Sequence, residues 1–205
     1  GGSLLTSDSQ TFTMAGSDTL GFSIVGENGN AGADIQVGQV GGNITDAAIV
    51  LTGGKYESKQ VNVQSGLLEI GQNTVLGTTD SMLTVGVSNG SGNTIAASVN
   101  NRGTINNDVT INSGASLDNR NTVNGDVLVN GSSILSNNGT VKGIVTVSEN
   151  GSVNGSGVFA STILQSNALL YVGNSPGFQQ HNDLTLDNGS RLGFYLDGIT
   201  AATLA

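Results

Sequence analysis

The feature that most constrains the fold is an eighteen-residue repeat in the middle of the chain. "TINNDVTINSGASLDNRN" begins at Thr104, and "TVNGDVLVNGSSILSNNG" and "TVKGIVTVSENGSVNGSG" begin at Thr122 and Thr140. The three stretches align without a gap, and they hold aliphatic residues at the same four positions: Ile105, Val123 and Val141 at position 2, Val109, Val127 and Val145 at position 6, Ile111, Val129 and Val147 at position 8, and Leu117, Leu135 and Val153 at position 14. A chain that repeats at this period is expected to fold as a series of equivalent units.

The rows before and after the three stretches continue the pattern more loosely. The row that starts at Gly86 places Val87 at position 2 and Val99 at position 14, and the row that starts at Val158 places Phe159, Ile163 and Tyr171 at positions 2, 6 and 14. The alignment therefore predicts about five units in register.

Each unit consists of short strands joined by corners. Positions 6 and 8 face one side of a strand, because side chains alternate with a period of two, and β-branched residues dominate both positions. Asn, Gly and Ser, which are typical of tight turns, lie between the strands. No stretch shows an apolar period near 3.6, so no helix is predicted. The pattern indicates an all-β fold, a parallel β-solenoid, in which one unit makes one rung.

Stacking of the rungs supplies the hydrophobic core. Neighbouring rungs lie about 4.8 Å apart, so each aliphatic residue contacts its equivalent in the next rung. Charged residues make up only 10% of the chain and Gly accounts for 32 of 205 residues, a composition that disordered chains share. The strict placement of the 36% of hydrophobic residues argues against disorder. At 18 to 20 residues a rung, the chain is predicted to form about ten rungs.

No linker divides the sequence, so we predict one β-solenoid domain over residues 1–205. Residues 1–85 are interpreted as irregular rungs, of which residues 1–30 are a candidate N-terminal cap. Residues 86–173 are predicted to form the regular repeats. Residues 174–205 are predicted to form C-terminal rungs that contain a Ser-Pro-Gly motif.

The stretch "VGNSPGFQQHNDLTLDNGSRLGFYLDG", residues 172–198, resembles a motif of bacterial autotransporter passenger domains and related secreted β-strand-repeat proteins. In that motif a Ser-Pro-Gly turn precedes alternating strands, a Gly-Ser pair and an apolar strand that ends in an acidic residue. The matching residues are Ser175, Pro176, Gly177, Leu184, Leu186, Gly189, Ser190, Leu192, Phe194, Leu196 and Asp197. Together with residues 86–173 the resemblance covers roughly the last 120 residues.

The resemblance implies an extracellular solenoid exposed at the bacterial cell surface. It leaves the activity open, because such scaffolds serve as adhesins, matrix proteins, proteases and carriers. In that family a passenger precedes a membrane-embedded barrel, whereas this sequence stops at "ITAATLA". A passenger fragment and another export route both remain open as interpretations.

Composition narrows the partners. Six Lys and Arg residues face fifteen Asp and Glu residues, a formal net charge of −9, which disfavours nucleic acid and anionic membranes. No run of about 18 apolar residues predicts a membrane-spanning helix, and the start "GGSLLTSDSQ" does not resemble a signal peptide. The absence of Cys excludes disulfides and metal–thiolate sites.

Position 16 of the repeat holds an asparagine in three successive rungs: Asn101, Asn119 and Asn137. The next rung has Gly155 there. Asparagines stacked at one corner are predicted to form a ladder of amide hydrogen bonds along the solenoid axis.

Asp108 and Asp126 both occupy position 5, so their carboxylates are expected to point outward one rung apart. Two carboxylates at about that separation are able to hydrolyse glycosides with retention, or to bind a cation weakly. The neighbouring outward positions carry Thr, Ser and Asn rather than the Arg, Lys and aromatic residues that grip a sugar substrate. We therefore interpret the two aspartates as a solvated pair and predict no catalytic, cofactor-binding or metal-binding residue and no cofactor.

Three further features have two interpretations each. Arg102 and Arg120 share position 17 beside Asp118, and suggest either an anion or sugar contact or a surface pair relieved by the acid. His181, the one histidine, lacks the partners of a catalytic triad and is interpreted as a turn residue. The late aromatic residues suggest either a carbohydrate platform or closure of the C-terminal end of the core: Phe159, Tyr171, Phe178, Phe194 and Tyr195.

These patterns favour a non-catalytic extracellular structural protein. Low charge and no amphipathic capping helix at the C-terminus predict homo-oligomers or filaments formed by end-to-end association. The alternative is an autotransporter-passenger-like adhesin that binds host cells, other cells or glycans. No enzymatic activity, nucleic-acid partner or membrane span is expected.

Overall fold

The structure is a computed structural model that describes residues 12–14, 21–25, 35–38, 48–87, 97–173 and 177–194. These residues form twenty-two strands: β1 (Phe12–Met14), β2 (Gly21–Val25), β3 (Ile35–Val37), β4 (Ala48–Thr52), β5 (Gly54–Tyr56), β6 (Gln60–Val63), β7 (Gly66–Ile70), β8 (Thr74–Leu76), β9 (Met82–Val85), β10 (Ala97–Asn101), β11 (Thr104–Ile105), β12 (Asp108–Ile111), β13 (Ser116–Asn119), β14 (Thr122–Val123), β15 (Val127–Val129), β16 (Ile134–Asn137), β17 (Thr140–Val147), β18 (Ser152–Asn154), β19 (Val158–Leu164), β20 (Leu169–Val172), β21 (Gln180–Leu186) and β22 (Arg191–Phe194). Within the described ranges there is no helix, and hence none that could cross a membrane.

The strands stack in parallel, one rung upon the next, which confirms the predicted all-β parallel β-solenoid. One side, which we call face A, is a nine-stranded sheet in the order β2-β4-β7-β10-β13-β16-β18-β20-β22. Every strand pair in it is parallel, including β10 with β13 and β13 with β16. Consecutive strands of this sheet belong to consecutive rungs.

The other side of the solenoid is a second sheet made of two columns of strands that merge. Face B contains β1, β3, β6, β9, β12 and β15, and face C contains β5, β8, β11 and β14. The eight-residue strand β17 pairs with both β14 and β15, so the two faces become continuous there. Strands β19 and β21 continue the merged face. Rungs thus change from three strands to two along the axis.

The described residues form about seven rungs of about 19 residues, so the expectation of about ten was too high. The count assumed that the 18-residue period extends along the chain. Instead, 31 residues separate Leu68 from its partner Val99, and 22 residues separate Leu170 from its partner Leu192. Longer corners and excursions consume the residues that further rungs would have used.

In the three central stretches the predicted register is confirmed. The position 2 residues stack as Ile105, Val123 and Val141, and position 14 stacks as Val99, Leu117, Leu135 and Val153. Positions 6 and 8 stack in the same way on face B. Each of these side chains is at most 2% exposed. Burial of aliphatic side chains along one axis is the main source of stability, at about 25 cal/mol for each Å² of apolar surface.

The predicted register was wrong in the two flanking rows. Below Ile105 lies Leu76, not Val87. Above β17 the register shifts between Val141 and Ile144, because β19 has seven residues where β17 has eight. The shift places Thr162 on Val145, and turns Ile163 away from the core. Face A shifts too, since Leu170 rather than Tyr171 pairs with Val153.

The predicted asparagine ladder is present and fully buried. Asn101 Nδ2 donates to Asn119 Oδ1 at 2.7 Å, and Asn119 Nδ2 donates to Asn137 Oδ1 at 2.7 Å. Asn137 Nδ2 ends the series on the carbonyl of Val158 at 3.2 Å. In the next rung Gly155 has a φ of 109°, and a Cβ there would lie 2.2 Å from the carbonyl oxygen of Asn137. The ladder ends at that residue because no side chain fits.

Replacing the middle of the ladder tests its contribution to stability. We expect Asn119→Ala to lower the free energy of unfolding by roughly 2–4 kcal/mol, because several buried amide hydrogen bonds are lost together. The matched control is Asn124→Ala, which removes the exposed 2.6 Å bond from Asn124 Nδ2 to Asn106 Oδ1 and is expected to change the free energy by less than about 0.5 kcal/mol. Urea unfolding measures both, and equal effects would contradict a structural role for the ladder.

Candidate binding surfaces on the solenoid

The outward carboxylates of Asp108 and Asp126 contribute to the backbone hydrogen bonding of face B. The N–H of Asp126 donates to Asp108 Oδ1 at 2.9 Å, and the N–H of Ile144 donates to Asp126 Oδ1 at 2.7 Å. Each aspartate therefore bonds the rung above it, at the bend where the strand ladder is interrupted. The pair expected to be merely solvated has a structural role.

A shallow groove of about 430 Å³ runs beside the two aspartates. Apolar and Thr side chains from four neighbouring rungs line most of the rest, and the lining contains no Lys, Arg or aromatic residue: Met82, Val109, Thr110, Val127, Leu128, Ile144, Thr146 and Ile163. Such a surface lacks groups that would hold a sugar for hydrolysis.

Two substitutions at Asp126 test whether its carboxylate is structural. We expect Asp126→Ala to lower the free energy of unfolding by about 1 kcal/mol, because the N–H of Ile144 loses its acceptor. Asp126→Asn retains an acceptor oxygen and is expected to lose less. Thermal or urea unfolding of both proteins gives the comparison. A larger loss for the Asn variant would show that charge, not the hydrogen bond, matters.

The two arginines of position 17 lie at one corner of the solenoid, in a groove of about 440 Å³ lined by Gln72, Asn73, Arg102, Arg120 and Asn121. Arg120 Nε donates to Asp118 Oδ2 at 2.8 Å, which is the predicted relief by a neighbouring acid. Gln72 and Asn73 were not foreseen as neighbours of the arginines. The available signal was the corner between "LLEI" and "TVL", which is longer than the equivalent corners of the regular repeat.

His181 lies in strand β21, not in a turn as expected. Its ring stacks on Phe159 with centroids 4.6 Å apart and an angle of 4° between the planes. His181 Nδ1 lies 2.9 Å from Thr162 Oγ1, and Nε2 lies 3.3 Å from Gln179 Oε1. A neutral imidazole fits both contacts, with Nδ1 accepting and Nε2–H donating. Burial lowers the pKa of His181.

The late aromatic residues divide between the core and the surface. Phe159 is fully buried, whereas Tyr171, Phe178 and Phe194 are 40%, 73% and 60% exposed. Tyr195 lies outside the described residues. Closure of the core therefore accounts for Phe159, while Tyr171 and Phe178 present aromatic surface.

The last described rung exposes the side chains that face the core in earlier rungs. Leu184 pairs with buried Thr162 and Leu186 with buried Leu164. On face A, Leu192 pairs with buried Leu170. Leu184, Leu186, Leu192 and Phe194 are nevertheless 39–60% exposed. We call these four residues the end surface.

In the part of the chain that the structure describes, no group of three or more His, Cys, Asp or Glu residues could hold a metal ion. Comparisons of the chain with protein-family models, with curated proteins and with solved structures gave no match.

The burial of His181 predicts a pH-dependent stability. Because its pKa is lowered from 6.5 in the folded protein, the unfolded chain binds the proton more tightly. The stability that the neutral ring contributes should be complete above the ordinary pKa of about 6.5 and lost as the pH falls toward the lowered value.

Urea unfolding at about pH 7.5 and about pH 5.5 measures this dependence. His181→Phe is the control, because it keeps a ring on Phe159 that does not titrate. We expect the wild-type protein to lose more stability on acidification than the variant. An identical loss in both proteins would rule out His181 as the origin.

Proposed function

We propose that this protein is a non-catalytic extracellular structural protein whose solenoids associate end to end into a cell-surface or matrix fibre. The end surface is the observation that carries the proposal. Four apolar side chains that would be core residues in any interior rung are exposed together, and a further rung stacked upon them would bury them. Their burial would contribute stabilisation of the same kind as that inside each solenoid.

The backbone supports the same mode of association. Within the described residues, β21 pairs only with β19 and β22 only with β20, so each strand of the last rung has one free edge. At the opposite end, β1 and β2 pair only with β3 and β4. Free parallel edges at the two ends are complementary, because a second copy stacked on the first continues both sheets in the same direction. Such a head-to-tail contact does not close and generates filaments.

The extracellular location rests on the resemblance to autotransporter passengers. Leu184, Leu186, Leu192 and Phe194 of that motif lie in β21 and β22, where the resemblance expects alternating strands. Ser175, Pro176, Leu196 and Asp197 lie outside the described residues. A surface-exposed fibre would gain its axial strength from backbone hydrogen bonds that run parallel to its length.

A second candidate function is a passenger-like adhesin that binds glycans or cell surfaces as a single rod. The observation that favours it is the exposure of Tyr171 and Phe178, since exposed rings stack on the apolar faces of sugars. This function needs no contact between copies, so the state of association separates the two candidates.

A matched pair of lysine variants tests the proposed function. Leu186→Lys places a charge on the end surface, whereas Ile144→Lys places one on the side of the rod, and the two parent side chains are 47% and 44% exposed. Neither is packed in the core, so both variants are expected to fold. We expect the wild-type protein and Ile144→Lys to form filaments or chains of rods that grow with concentration, and Leu186→Lys to remain as single rods.

Negative-stain electron microscopy and sedimentation velocity over a concentration series provide the measurement. Single rods of the wild-type protein at every concentration would contradict the fibre and leave the adhesin as the better candidate. Assembly of Leu186→Lys equal to that of the wild type would show that the end surface is not the contact.

A further inference from the structure

The corner groove around Arg102 and Arg120 arises from a difference in length between neighbouring corners. Ile70 pairs with Asn101 and Val75 pairs with Thr104. Four residues, 71–74, lie between the first pair and the second in one rung, but only Arg102 and Gly103 do so in the next. The longer corner therefore projects beyond the shorter one and forms a wall beside Arg102.

The two corners are in close contact at Gly103. A Cβ on Gly103 would lie 2.4 Å from the carbonyl oxygen of Thr74 and 2.6 Å from that of Gly71. The carbonyl of Ile70 also accepts the N–H of Arg102 at 2.8 Å. The wall of the groove is thus held by backbone contacts and does not depend on a flexible side chain.

The charge in the groove is only partly neutralised. Among the described residues, Arg120 has Asp118 as its ion-pair partner, whereas Arg102 has no carboxylate within ion-pair distance. The two arginines belong to adjacent rungs, about 4.8 Å apart along the axis. Two guanidinium groups at that spacing repel each other, and an anion between them would remove the repulsion.

Amide groups complete the lining with donors and acceptors. The side chains of Gln72 and Asn73 are exposed and form no hydrogen bond within the described part of the chain. Asn121 is held in place, because its Nδ2 donates to the carbonyl of Arg102 at 3.0 Å. The groove therefore offers both a planar guanidinium fork and neutral polar groups.

We propose that this corner groove binds an acidic saccharide through the carboxylate of a uronic acid residue. The forked guanidinium of Arg102 matches a carboxylate in geometry, and the amides of Gln72 and Asn73 match sugar hydroxyls. A polyphosphate chain is disfavoured, because the protein carries a net charge of −9 and Asp118 lies beside the groove. The groove lies on the side of the rod, so the inference is independent of end-to-end association.

The test uses the full chain labelled with ¹⁵N and a linear oligomer of four uronic acid residues, titrated at low salt. We expect amide resonances of Gln72, Arg102, Arg120 and Asn121 to shift. Arg102→Gln should weaken binding roughly tenfold, because a charge-assisted hydrogen bond is lost. The matched control is Arg191→Gln, an exposed arginine of β22 away from the groove, which should bind like the wild type.

Two ligand controls identify the chemistry. The fully methyl-esterified oligomer, which has no charge, should not shift these resonances, and acetate should shift them only at much higher concentration. Equal binding of the ester, equal binding of acetate for each carboxylate, unchanged binding by Arg102→Gln, or shifts confined to other residues would each overturn the proposal. Because binding is measured on dispersed rods or filaments alike, its failure leaves the fibre proposal untouched.

Discussion

The structure depends on the parallel pairing of each rung with the next in register. Backbone hydrogen bonds along the axis place equivalent residues directly above one another, as in the column Val99, Leu117, Leu135 and Val153. A single rung has no core of its own, since its few aliphatic side chains are buried only by the rungs above and below. The hydrophobic core and the hydrogen-bond ladder are therefore one cooperative arrangement.

The corners maintain this pairing where strands are interrupted. Inside the solenoid the stacked amides of Asn101, Asn119 and Asn137 bond across rungs and to the backbone. On the outside Asp108 and Asp126 accept the backbone N–H groups of the following rung. In both cases a polar side chain replaces a strand hydrogen bond at a bend. The high content of Asn, Asp and Gly is thus a consequence of the number of corners.

The candidate functional surfaces arise where the repeat is imperfect. The corner at residues 71–74 is longer than the next and creates the groove at Arg102 and Arg120. A one-residue shift after β17 turns Ile163 outward and places Thr162 inside. The last described rung keeps the core pattern but exposes it, which makes the end surface. Regular rungs supply rigidity, and departures from regularity supply candidate contacts.

The sequence by itself determined the fold class, the register of the three central rungs and the asparagine ladder, because an ungapped repeat allows only one way to stack like upon like. It did not determine the rung count or the flanking registers of Val87, Ile163 and Tyr171, since insertions and a bulge change the pairing without changing the local pattern. Only the tertiary structure decided that His181 packs on Phe159, that Gln72 and Asn73 border the arginine pair, and that Leu184 and Leu186 are exposed. Each of these depends on which rung lies next to which, and that neighbour relation is a property of the stack.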